Sequence, residues 1–387
     1  MTLPVLLDAR ILTYNDTGIA RYVRHLYRAM RVIADEAIAS GGSPPVEVTV
    51  LESRRERRHH LSDAWPDARR AWTPPHHRLE RWTLAGEVGL AAWTLARRDR
   101  KRLVLHSPDH VSPGRFGILQ GRRWANVVTV HDLAFMKVPD SHTPESRAYY
   151  SGIIRTARDA EIIICPSKAT ATDLLDETRC DPSRVRVIPE AADPRYRPAS
   201  PGAPMAAVPG RPYILTVGSI EPRKNVKTLL EAIATLPPSR RPMVRIVGAA
   251  GRASDDLGAL VASKGLDRDV AFMGRMGTEE IGALYRGAIA AAYLSLYEGF
   301  GLPVLEAMAC GCPVIASGVS SIPEVAGDAA LLVDPGEPEA VAHAIETVMG
   351  DAGAAAELRR RGLARAARFT WATAARQTID AFRDAAG

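Results

Sequence analysis

Short runs rich in valine, isoleucine and leucine alternate with amphipathic stretches along the chain, and the alternation breaks once, at a proline-dense segment near the middle. Strands joined by helix-length connections pair in parallel, with right-handed crossovers. In the first half, strands are predicted at Pro4–Ala9, Val46–Leu51, Leu103–Ser107, Asn126–Asp132, Glu161–Ser167 and Arg184–Glu190. Helices are predicted between them at Gly18–Ala39, Arg78–Arg98, Thr143–Asp159 and Ala169–Glu177. Asp193–Pro204 then carries four prolines and cannot hold regular structure. The alternation resumes with strands at Tyr213–Ile220, Met243–Gly248, Val270–Gly274, Ala288–Ser295, Pro313–Ser317 and Ala330–Asp334. Helices are expected near Asn225–Leu236, Leu257–Lys264, Thr278–Arg286, Leu302–Ala309, Pro338–Gly350, Ala354–Arg368 and Trp371–Ala385.

This pattern predicts an α/β protein of two Rossmann-like doubly wound domains, residues 1–197 and 212–370, joined by a linker at 198–211. A chain of 387 residues is long enough for two such cores. Open parallel sheets bind ligands beyond the carboxyl ends of their strands. Two of them are expected to face each other across a cleft, with the chemistry-bearing residues just after strands.

The sharpest motif runs from Tyr297 to Pro313. Glu298 ends a buried strand, Gly299 and Gly301 allow a tight turn, and Pro303 suits the first turn of a helix. That helix start offers backbone N–H groups to an anion. Glu298 and Glu306 could grip the hydroxyls of one polar ligand at two points. A second motif, Val217–Asn225, sets a glycine turn, Arg223 and Lys224 before a helix. Two cations at a helix start suit a diphosphate, and Lys224 can neutralise a leaving group without a metal. His131 and Asp132 follow a strand, where a histidine can bond a sugar or position an acceptor. His106 is a second strand-end histidine, and Ser167 is placed to cap a helix.

The Glu298–Glu306 string, with Gly-Phe-Gly-Leu-Pro-Val-Leu between its carboxylates, resembles the E-x7-E signature of family 4 retaining glycosyltransferases, which have the GT-B fold. The resemblance runs from Gly18 to the Phe369–Trp371 stretch. It implies that Glu298 contacts the donor sugar and Glu306 the ribose, while backbone amides through Gly299, Phe300, Gly301 and Leu302 reach sugar and diphosphate. It implies that Lys224 neutralises the β-phosphate. Where many members carry arginine after the strand's glycine, this chain has Ser219, and Arg223 is the expected second cation. Gly18 matches a loop bordering the diphosphate, His131-Asp132 a catalytic pair, and Arg275 a nucleotide contact. The closing helix, 371–387, is expected to pack back on the first domain. The combination of motifs is similar to the mannosyltransferase-like branch that builds bacterial surface polysaccharides. GDP-mannose is therefore the first expectation for the donor and a UDP-sugar such as UDP-glucose the second. The acceptor would be a glycan or a lipid-linked glycan. At the loop where the family's Pro-Asn-Gly-Val-Asp is typical, this chain reads Pro189-Glu190-Ala191-Ala192-Asp193.

Composition narrows the other choices. The chain is 46% hydrophobic and 24% charged, and no apolar run reaches the ~18 residues of a membrane span. Its first residues lack the basic start of a signal peptide. Cys165, Cys180, Cys310 and Cys312 are read as reduced thiols of a cytoplasmic protein. Residues 1–200 hold 31 Lys and Arg against 24 Asp and Glu, with clusters at Arg54–Arg58 and Arg97–Arg102. These are solvated helix faces or a surface for peripheral contact with anionic lipid on the inner membrane face. No groove-reading motif accompanies the charge, so no nucleic-acid partner is expected. Asp267-Arg268-Asp269 precedes a strand instead of following one, and neither a metal nor a cofactor is expected. Val247–Gly251 mimics half of a dinucleotide fingerprint, which leaves an NAD-dependent oxidoreductase as a distant alternative. A basic surface protein without catalysis gives no reason for Lys224, Glu298 and Glu306.

Overall fold

The computed structural model describes residues 2–9, 12, 18–53, 61, 64–65, 69–73, 102–109, 124–199 and 211–387. The predicted helix Arg78–Arg98, the cluster Arg54–Arg58, the cluster Arg97–Arg102 apart from Arg102, and most of the linker lie outside them. The chain divides into two compact units. The first comprises the chain to Leu133, Pro144–Glu190 and Thr370–Gly387; the second comprises Ala134–Thr143 and Ala191–Phe369.

The first unit contains a sheet of β1 (Leu3–Asp8), β2 (Val46–Ser53), β3 (Arg69–Thr73), β4 (Leu103–Ser107), β5 (Trp124–Thr129), β6 (Ile162–Cys165) and β7 (Val185–Val187). Their order is β3-β2-β1-β4-β5-β6-β7, and the pairs are parallel, with Val5 opposite Val48 and Leu7 opposite His106. Both faces of β1 are covered, since Leu3, Val5, Leu6 and Leu7 are all buried. The second sheet holds β8 (Tyr213–Val217), β9 (Met243–Val247), β10 (Val270–Gly274), β11 (Ala290–Tyr293), β12 (Val314–Ser317) and β13 (Leu331–Val333), in the order β10-β9-β8-β11-β12-β13. Alternate residues feed opposite faces: Ile214, Ala290, Ala292 and Ile315 join one core, Leu215, Ala291, Tyr293 and Ala316 the other. Both sheets thus reverse direction between their first and fourth strands, β1/β4 and β8/β11, which opens a crevice at those strands' carboxyl ends.

Strands are mostly shorter than predicted. β5 stops at Thr129, short of the predicted end at Asp132, and His131 and Asp132 follow it in the loop. β3 was not foreseen, because Arg-Arg-Ala-Trp-Thr carries no aliphatic alternation. The predicted helix Thr143–Asp159 is two helices, Pro144–Tyr150 and Ile153–Asp159, parted at Ser151-Gly152, where the Ser151 hydroxyl donates to the Ala148 carbonyl at 2.7 Å. Helix Gly18–Ala39 has the predicted bounds. Ser167 caps helix Lys168–Thr178 by accepting from Thr170 N at 3.0 Å. Tyr196, just before the linker, packs edge-on against Tyr285 in the second unit.

The closing helix, Trp371–Ala386, belongs to the first unit, where it packs on helix Gly18–Ala39 and on β4, β5 and β6. Phe382 is fully buried, and Arg186 pairs with Asp384 at 2.9 Å. Arg102 donates to the Ala385 carbonyl at 3.0 Å and pairs with Glu161 at 2.6 Å, so this member of the basic cluster is a structural brace.

Candidate active site

In the second unit the loops after β8 and β11 leave the sheet side by side. After β8 the chain passes Gly218 and Ser219 and winds into one 3-10 turn, Pro222–Lys224. Asn225 then takes a left-handed conformation (φ 54°), which asparagine tolerates. Its side chain donates to the Pro335 carbonyl at 2.7 Å and accepts from the Thr228 hydroxyl at 2.9 Å. The neighbouring β9 loop supports this turn from behind. A Cβ at Gly248 would lie 1.8 Å from the Gly218 carbonyl oxygen, and one at Gly251 2.5 Å from the Ile220 carbonyl oxygen. The two glycines of the half-fingerprint are therefore required by loop packing, without any dinucleotide.

The loops converge on one carboxylate oxygen. Glu298 Oε1 accepts from Lys224 Nζ at 2.5 Å and from Arg223 Nη1 at 2.8 Å. Arg223 also donates to the Tyr297 carbonyl at 3.2 Å, and its own carbonyl accepts from Leu296 N at 2.8 Å. Lys224 Nζ reaches Tyr293 Oη at 2.7 Å. Glu298 is only 9% exposed. Burial pushes its carboxyl up, but Lys224 and Arg223 override that and hold it at about 2. Two cations thus meet at one carboxylate oxygen.

Two serines fix the glutamate's backbone. Ser320 Oγ donates to the Glu298 carbonyl at 2.6 Å and accepts from Glu298 N at 3.2 Å. Ser321 Oγ lies 2.8 Å from the carbonyl oxygens of both Glu298 and Phe300, which share its one proton. Ser320 does this from φ 58°, a conformation that strains any residue with a Cβ. Beyond Glu298, Gly301 has φ 110°, and a Cβ there would meet Ile322 Cδ1 at 2.7 Å. Helix Leu302–Ala309 opens next, with Pro303 in its first turn.

The other sequence-derived residues fall into place around this core. Gly299 to Leu302 form the turn and helix start, while the Phe300 ring is buried edge-on against Phe369. Glu306, 2% exposed on the same helix, bears electrostatically on Tyr285. Arg275 follows β10, the outer strand, and stands exposed at the same sheet edge, two strands from β8. Asp269 pairs with Arg211 at 2.9 Å and with Arg241 at 3.8 Å, so the Asp-Arg-Asp string is structural. Among the described residues no cluster of three or more His, Cys, Asp or Glu could hold a metal.

In the first unit, His131 sits at the carboxyl end of β5 with both ring nitrogens engaged. Nδ1 lies 3.0 Å from Glu190 Oε1 and Nε2 lies 2.9 Å from the Pro108 carbonyl. Burial alone would lower its pKa, but Glu190, the Pro108 carbonyl and Asp109 together raise it. Tyr22 meets the ring edge-on at 4.8 Å. Glu190, buried in the loop after β7, was visible in the sequence only as a departure from a family motif. Asp132 is partly exposed beside His131. Gly18 opens the helix after β1, and a Cβ there would meet nothing within 4 Å of the described chain, so chain packing does not demand a glycine. His106 has a different environment. It is fully buried, hydrogen-bonded to Tyr27 Oη (2.8 Å) and Thr129 Oγ1 (3.1 Å), and burial depresses it to about 3. It is a neutral core histidine.

Comparison with known proteins agrees with these features. Residues 17–196 match Glycosyltransferase Family 4, and residues 204–366 match Glycosyl transferases group 1. The O-antigen chain mannosyltransferase B of Escherichia coli is 32% identical over 301 residues, covering 76% of each chain. A D-inositol 3-phosphate glycosyltransferase of Salinispora tropica is 31% identical over 308 residues, covering 73% of this chain and 64% of its own length. Among solved structures, that of the Anabaena protein HepE in complex with UDP-glucose covers 98% of both chains, with a TM-score of 0.74 at 18% identity.

Proposed function

Because the chain belongs to the family 4 glycosyltransferases, with a group 1 glycosyltransferase region in its second unit, we propose that it transfers a hexose, mannose first, from a nucleotide-sugar donor to a glycan or lipid-linked acceptor with retention of configuration. One observation carries the reading: Lys224 and Arg223 converge on the Glu298 oxygen at the switch point of the second sheet, beside the start of helix Leu302–Ala309. Two cations and a helix N-terminus suit a diphosphate.

The acceptor hydroxyl oxygen attacks the anomeric carbon from the face that the diphosphate leaves. As the bond from that carbon to the β-phosphate oxygen breaks, the departing phosphate takes the hydroxyl's proton, and Lys224 and Arg223 stabilise the charge it gains. Glu298 is not set as a covalent nucleophile, because its Oε1 is already engaged by Lys224 and Arg223. Glu298 instead orders the cations and meets the sugar's hydroxyls, and Glu306 holds the ribose. The reaction uses no metal and no cofactor.

GDP-mannose is the favoured donor because the matched mannosyltransferase shares three quarters of its length with this chain. The second reading, a UDP-sugar such as UDP-glucose, is supported by the fold shared with a protein solved in complex with UDP-glucose. Thermal stabilisation and turnover measured across GDP-mannose, UDP-glucose, UDP-galactose and NAD test the assignment. Response to a nucleotide sugar supports it, and response to NAD alone refutes it. The described residues contain no helix long and apolar enough to cross a membrane. Peripheral contact between the basic first half and anionic lipid is part of the same proposal, and flotation with phosphatidylglycerol vesicles tests it.

A further inference from the structure

His131 is bracketed by a carboxyl oxygen and a backbone carbonyl oxygen. Glu190 Oε1 stands 3.0 Å from Nδ1, and the Pro108 carbonyl oxygen stands 2.9 Å from Nε2. A neutral imidazole has one N–H and one lone pair, so it would leave one of these contacts as oxygen facing lone pair. Opposite an ionised Glu190, only the imidazolium satisfies both. Glu190 is 5% exposed, and a buried carboxylate needs such a charged partner. From this geometry we propose that Glu190 is a positioning residue that fixes both the charge and the ring plane of His131, so that His131 serves as a held cation and not as a base.

The surroundings agree from every side. Asp109, after β4, adds negative charge, and Asp132 is the next residue in the chain. Tyr22, from helix Gly18–Ala39, stays protonated because burial pushes its phenol up. His106 is neutral, with its pKa near 3. His131 is thus the cation among these groups, facing carboxylates and neutral rings. Its two N–H bonds tie the loop after β4 to the loop after β7, from the loop that follows β5. With both N–H groups committed, the ring has no lone pair to take a proton from an acceptor hydroxyl. That leaves the proton to the departing phosphate, and this last step alone rests on the proposed glycosyl transfer.

The charge state can be read without any donor. In protein with 15N-labelled histidine, the His131 ring nitrogens are followed from pH 6 to pH 9, with His131→Asn to assign the signal. In the native protein both nitrogens stay protonated above the ordinary histidine midpoint. In Glu190→Gln, which keeps an oxygen for the Nδ1 proton but loses the charge, the midpoint falls by at least about one pH unit, a tenfold loss of proton affinity. An ordinary midpoint in the native protein, or an unmoved one in Glu190→Gln, overturns the proposal even if glycosyl transfer is correct. Activity gives the second readout. Glu190→Gln lowers kcat with KM for the donor little changed, and the high-pH limb of its profile moves to lower pH. An identical profile shape would reduce Glu190 to a structural brace.

Discussion

Replacing Lys224 with methionine removes one of the two cations on Glu298 while keeping the length of the side chain. The depression of that carboxyl from 4.5 to about 2 corresponds to about 3 kcal/mol of favourable interaction. Arg223, at 2.8 Å, remains and keeps part of it, so the expected loss of folding stability at pH 7 is about 2 kcal/mol. The loss depends on pH with a definite sign. Because the folded pKa of Glu298 is depressed, its contribution is present above about 4.5 and disappears as pH falls toward 2. The gap between native protein and variant therefore narrows as pH drops through that window. Adding Glu298→Gln to Lys224→Met recovers stability, since the carboxylate is no longer left short of a cation, yet turnover stays lost. Urea unfolding at pH 7, 5 and 3.5, for the native protein, Lys224→Met, Glu298→Gln and the double variant, measures the cycle. A stability gap unchanged across pH, or a double variant no better than Lys224→Met, refutes the shared-charge reasoning.

Ser320→Gly relieves the positive φ, a strain of about 1 kcal/mol, and gives up two hydrogen bonds to the Glu298 backbone. Its melting temperature is expected to stay near native while kcat falls at least about tenfold, whereas Ser320→Ala keeps the strain and loses both; native turnover in either variant removes Ser320 from the site. His106, buried and neutral with a pKa near 3, makes the native state lose stability as pH falls below 6.5, by up to about 1.4 kcal/mol per pH unit. His106→Phe should flatten that part of the stability profile, and an unchanged slope in urea titrations contradicts it. Gly248→Ala drives a methyl group into the Gly218 carbonyl and should displace the Lys224 turn, read as loss of nucleoside diphosphate binding by calorimetry or as insoluble protein. A soluble variant with native affinity contradicts that.

The strand–helix alternation announced both sheets because aliphatic side chains cover both faces of parallel strands, and that pattern survives in sequence. Lys224, Glu298 and His131 stood out because charge and glycine interrupt the apolar runs there, although Glu298 lies in the loop five residues beyond β11 and does not end the strand. What stayed hidden depends on contacts between distant loops. Ser320 and Ser321 look like an ordinary polar loop until β12 places them beside Glu298. Glu190 is one carboxylate among many until β7 brings it to His131. Gly248 and Gly251 misled in the opposite direction, because a glycine needed for packing one loop on another has the same letter as one needed to approach a phosphate. His106 and His131 both stand at strand ends, and only their partners distinguish a neutral core ring from a charged one.

The central assignment is that Lys224 meets the phosphate nearest the transferred sugar. Calorimetric titration of GDP and GMP, with UDP and UMP alongside, into native protein and Lys224→Met tests it directly. The expected result is a loss of at least about tenfold in affinity for the diphosphate, with monophosphate affinity little changed, because only the second phosphate reaches the lysine. Equal losses for both, or none for either, would contradict it.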